Sequence, residues 1–165
     1  MKKQIDRLKK ELKKAVSKHF KKLTQEVPDI YGYAIFTEDG VSSLAPVANR
    51  KSTVKVKSSD RMYNYYRFIA VEWSESDDFG LFEKVNEVVN EILSDEAVEF
   101  PEKREAILRA SLSVLVDLES EGLFGSKTDD RFLVICLSDS DEPIMMESAK
   151  LLNTSKAFKA YAGEF

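Results

Sequence analysis

Apolar positions along this chain follow two different rhythms. Ile5, Leu8, Leu12, Val16, Phe20 and Leu23 recur three or four residues apart, which predicts an amphipathic helix over about 3–24, ended by Pro28. Residues 30–37, IYGYAIFT, are aromatic and β-branched and predict a strand. The turn signal Glu38-Asp39-Gly40 follows, so VSSLAP at 41–46 is expected to return as its antiparallel partner. Over 47–62, Val54 and Val56 alternate with lysines, the pattern of a short edge strand or a loop. YYRFIAVEW at 65–73 reads as another strand, with Arg67, Ile69, Val71 and Trp73 opposing Tyr66, Phe68 and Ala70.

The helical rhythm then returns. Phe82, Val85, Val88, Val89 and Ile92 predict a helix over about 79–94. Pro101 stands near the start of a third helix, which carries Ile107, Leu108, Leu112, Leu115 and Leu118 and ends at Gly122. Residues 131–137 form a nearly unbroken apolar run, as in a strand covered on both faces, and are expected to be the central strand. Asp141 or Ser140 caps the next helix, with Glu142 and Pro143 in its first turn, running to about Asn153. The expectation is one α+β domain over 1–165, ordered α-β-β-β-α-α-β-α. Its sheet is mixed or antiparallel, of about four strands, with the 101–121 helix among those packed on it.

Composition agrees with a globular chain: 43% of residues are hydrophobic and 33% charged. No apolar run reaches the roughly 18–20 residues a bilayer crossing requires, and the basic N-terminus lacks the apolar core of a signal peptide. The expected compartment is the cytoplasm, with no membrane partner. Charge changes the picture more. Residues 1–24 carry ten Lys/Arg against Asp6 and Glu11, a balance of +8, in a chain whose net charge is −4. The acids concentrate at 72–105, where twelve face three bases, and at 117–147, where nine face two. Such segregation speaks of partners and solubility rather than of fold.

Candidate chemistry is sparse. The lone cysteine, Cys136, lies inside the apolar run 132–137 and reads as a buried, inert thiol. His19 is the only histidine and sits beside the apolar stripe of a lysine-rich helix, a poor start for a nucleophile–base pair. Ser52-Thr53-Val54-Lys55 matches the S-x-x-K spacing, but Val54 and Val56 suit extended backbone rather than a helix start. No glycine-rich phosphate loop is present. Asp139, Asp141 and Glu142 form a D-x-D-E cluster at a strand end, readable as helix cap and first turn or as part of a divalent-metal site. No catalytic residue, metal or cofactor is expected. The lysines of the first helix, and the cations around Tyr63, Tyr65 and Tyr66, invite nucleic acid. The acidic remainder and the placement of those tyrosines beside a core strand argue against it.

The order of short motifs resembles a known bacterial family, the domain of unknown function 4303. The resemblance runs from about Ile5 to Asn153 and rests on Ala48-Asn49, Glu72-Trp73, Glu121-Gly122-Leu123-Phe124-Gly125 with Arg131, and Leu152-Asn153. It implies a small bacterial protein, similar in genomic role to the immunity proteins of polymorphic toxin systems. On that footing the expected function is binding and neutralising a cognate toxin. Glu72, Glu75, Asp77, Asp78, Asp139, Asp141 and Glu142 would face the toxin's basic cleft. Trp73 would anchor the complex only if exposed, and its strand position gives it a core role. The alternative is a non-enzymatic module for a small ligand or nucleic acid.

Overall fold

A computed structural model describes residues 1–138 and 142–165. The long first helix, α1 (Lys2–Glu26), buries Leu8, Leu12, Ala15, Val16, His19 and Leu23, the stripe that the periodicity marks. Strand β1 (Ile30–Thr37) pairs antiparallel with β2 (Ala45–Arg50) and parallel with β3 (Phe132–Leu137). The helices α2 (Tyr63–Phe68), α3 (Glu83–Leu93) and α4 (Phe100–Ser120) separate β2 from β3, and α5 (Pro143–Leu152) and α6 (Ser155–Ala162) follow it. This is a mixed α+β architecture with three strands and six helices among the described residues.

Several expectations need correction. The sheet order is β2-β1-β3, so β1 is the central strand and the 132–137 run lies at an edge. All six residues of β3 are nevertheless buried, because α5 lies along its free edge. Asn153 accepts from the Leu133 N–H at 2.8 Å and donates to its carbonyl at 2.7 Å. The Ser148 hydroxyl accepts from the Ile135 N–H at 2.9 Å. Side chains thus do there what a fourth strand would do.

The return strand is β2 at 45–50 rather than 41–46. The chain first detours to bury Val41 and Leu44. Glu38 accepts from the Ser42 N–H at 2.5 Å, and the Asn86 side chain of α3 bonds both the N–H and the carbonyl of Leu44, at 2.7 and 3.1 Å. Beyond β2 the chain makes a 3-10 turn at Lys51–Thr53, and Val54 and Val56 lie outside any strand.

Residues 65–73 are not a strand. They are the end of α2, then a 3-10 turn at Ala70–Glu72. Phe68, Ala70 and Trp73 face inward while Val71 is exposed, so Val71 and Trp73 do not share a face as they would in a strand. The helix 101–121 is recovered as α4. Gly122, at φ +78°, follows it with its N–H on the Glu119 carbonyl and the Leu123 N–H on Leu118, the paired bonds of a Schellman stop. The predicted caps Ser140 and Asp141 lie outside the described residues. Glu142 itself is the residue before α5, with Pro143 at its first turn and no side-chain capping bond. Helix α6 was not predicted; the Thr154 hydroxyl caps it by accepting from the Ala157 N–H at 3.2 Å.

Two faces of the sheet are covered differently. Tyr33 meets His19 and Phe20 of α1 together with Phe124, and α3 and α4 pack against α1 behind them. On the other face Gly32 and Phe132 are covered by Trp73, by Phe68 of α2 and by Tyr161 of α6. A side chain at position 32 would stand 2.7 Å from the Trp73 ring, so only glycine lets the indole approach β1 this closely.

Candidate interaction surface

Trp73 is buried, which assigns it to the core and not to a partner. Its burial has a second effect, because it seats the loop carrying four of the predicted acids. Two residues on, Glu75 and Ala48 exchange backbone bonds of 3.1 and 2.8 Å, closing the free edge of β2. The Glu75 carboxylate pairs with Arg50 Nε at 3.0 Å. Pro46, on the same outward register, brings no N–H to that edge.

His19 fastens the far end of the loop. Its Nε2 lies 2.9 Å from the Asp77 carbonyl, which only accepts, so the ring hydrogen sits on Nε2. The bare Nδ1 then accepts from the Tyr33 hydroxyl at 3.0 Å. Burial lowers the imidazole pKa from its ordinary value and raises that of the wholly buried Tyr33 phenol. Both nitrogens are occupied, so His19 is a fastener and offers no base to a substrate. A lone histidine flanking an apolar helix stripe was the signal for this role.

The loop then turns on its own acids. Asp77 accepts from the Phe79 N–H and Asp78 from the Gly80 N–H, each at 2.8 Å. Phe79 is held at φ +54°, a conformation an aromatic residue rarely takes, with its ring against His19 and Lys22 3.9 Å over its centre. Outward from this backbone stand Glu72, which accepts from the Tyr65 hydroxyl at 3.0 Å, and the carboxylates of Asp77 and Asp78.

The structure does not gather all the predicted acids. Glu75 lies on the β2 edge, whereas Glu142 follows β3 at the opposite side of the sheet and pairs with Arg104 of α4 at 2.9 Å. Asp139 and Asp141 lie outside the described residues. Among the described residues no group of three His, Cys, Asp or Glu side chains is placed to hold a metal ion. Burial pushes the Cys136 thiol up to about 12. Among the described helices none is long and apolar enough to cross a membrane.

The motif residues now have structural roles: Asn49 is buried behind α2, Trp73 covers β1, Gly122 stops α4, and Asn153 closes β3. A family model described as "Domain of unknown function (DUF4303)" matches residues 8–154. The chain belongs to the DUF4303 family. Comparison with curated proteins gives no match, and neither does comparison with solved structures. The matched span begins within α1 and takes in the sheet, the fastened acidic loop and α5.

Proposed function

We propose that this DUF4303 protein binds a partner protein with a basic surface, in the manner of an immunity protein that neutralises a cognate toxin. The contact is the acidic loop 72–78. The observation that carries this reading is the fastening of that loop. It is tied to β2 through Glu75, to α1 through His19 and to β1 through Trp73, so Glu72, Asp77 and Asp78 stand on fixed backbone. A loop already ordered in the free protein loses less entropy on binding, and its carboxylates steer a basic partner into place. Both free strand edges are occupied, by Glu75 on β2 and by Asn153 and Ser148 on β3. The partner therefore docks on side chains rather than by adding a strand.

The test is co-expression with the product of the neighbouring gene, followed by association kinetics. Asp77→Asn and Asp78→Asn keep the oxygen that each turn needs while removing the charge, and Glu72→Gln completes the set. The triple variant should associate about tenfold more slowly at low salt, with its dissociation rate little changed. A wild-type complex that does not form, or an association rate untouched by the three changes, overturns the reading.

A further inference from the structure

Residues 50–67 carry Arg50, Lys51, Lys55, Lys57, Arg61 and Arg67 against Asp60 alone. The core strand expected at the neighbouring tyrosines does not form. They belong to α2, a surface helix, where Tyr66 is 42% exposed. Below them, two adjoining cavities of about 300 and about 230 Å³ share Tyr63, Arg67 and Asp130 as a common wall. Lys156 lines the larger and Lys51 the smaller.

Arg67 is built into this wall. Its guanidinium donates to the Tyr63 hydroxyl at 2.6 Å, to the Asp129 carbonyl at 3.1 Å and to the Asp130 carboxylate at 3.2 Å. It also lies over the rings of Tyr31, Tyr63 and Phe68, at 5.3 to 5.6 Å. The lysines at the two ends are free to adjust, with side chains 60% and 81% exposed. Two carboxylates also line the groove. Asp129 holds the Thr154 hydroxyl at 2.7 Å and Lys156 at 3.3 Å, and Asp130 pairs with Arg67 and more distantly, at 3.8 Å, with Lys51. These carboxylates hold the three cations along the groove, and a phosphate entering it has to compete with them for the lysines.

We propose that this groove binds a nucleotide unit, a phosphate with a planar base, from either single-stranded nucleic acid or free nucleotide. Tyr63 supplies the stacking ring, Arg67 a planar guanidinium already in position, and Lys51 and Lys156 the phosphate contacts. The site is distinct from the acidic loop and stands whether or not that loop binds a toxin.

Binding of a fluorescein-labelled oligo-uridine strand to the full chain is measured by anisotropy, with uridine monophosphate as competitor and as sole ligand. Strand binding that the monophosphate competes away supports a groove open to both sources. Strand binding without competition assigns the strand, and binding of the monophosphate alone assigns free nucleotide. Lys51→Glu with Lys156→Glu, both exposed, should leave the unfolding midpoint in place. It should also weaken binding about tenfold and lower the salt slope by about 0.7 per lost phosphate contact. Tyr63→Phe should bind and Tyr63→Ala should not, a split that a merely structural hydroxyl would not produce. The proposal falls if neither ligand binds at millimolar concentration, or if binding survives the lysine changes. It falls equally if binding is lost instead with Lys10→Glu and Lys14→Glu on α1.

Discussion

His19 couples a local bond to global stability. In the unfolded chain its imidazole takes up a proton as pH falls through the ordinary value of 6.5, whereas burial holds the folded group neutral below that point. The unfolded state then binds more protons, so stability falls as pH drops below about 6.5 and is fully present above it. The charged groups facing the ring are Asp77 and Asp78 of the loop and Lys22 of α1; the acids oppose the shift, and burial outweighs them. Urea unfolding between neutral pH and the onset of carboxylate protonation should show stability falling with pH, with a slope of at most about 1.4 kcal/mol per pH unit. The His19→Gln variant, less stable throughout, should lose that slope. Equal slopes for the two chains would show that the ring titrates alike folded and unfolded.

At the scale of elements, α5 is the unit that makes β3 a workable edge. Asn153, the residue just after α5, is buried, holds both backbone groups of Leu133, and adds a bond of 2.8 Å to the Ala149 carbonyl of that helix. Asn153→Ala strands two buried backbone groups, each costing about 1–3 kcal/mol, and should speed exchange of the Leu133 amide by the matching factor. An amide protected as before would mean that water or a shifted chain replaces the side chain. This element also shows where sequence legibility ends. The β3 run was readable because six apolar residues in a row have no amphipathic alternative, and α1 and α4 because their stripes are long. The strand's edge position was not, because a serine on a later helix and an asparagine just after it mimic a missing neighbour without leaving a periodic trace. For α2, Tyr63–Phe68 is too short to complete a helical stripe, and its aromatic residues favour extended backbone on propensity alone. The acidic loop was legible as a charge block, yet its fasteners, His19 and Gly32, lie far away in sequence.

For the molecule as a whole, the segregated charge raises the question of what holds the basic α1 on an acidic body. Ion pairs do join them: Arg7 with Glu91 of α3, Lys13 with Glu121 after α4, and the N-terminus with Asp95 at 3.8 Å. Of the two lysines in the acidic block 72–105, Lys103 is turned inward, its Nζ on the Leu93 carbonyl at 2.8 Å. The surface there is therefore more acidic than the count suggests. Even so, each exposed pair contributes only about 0.2–1 kcal/mol and is screened by salt. The seam beneath them includes Leu8, Leu12 and Val16, all fully buried, and truncating such a leucine costs about 2–5 kcal/mol. Leu12→Ala should consequently destabilise the chain several times more than Lys13→Ala, and a molar increase in salt should shift the unfolding midpoint only slightly. If Lys13→Ala matched Leu12→Ala, or salt unfolded the chain, charge rather than burial would be the glue. The expected result would leave the ion pairs along the α1 seam a minor part in stability beside the buried leucines.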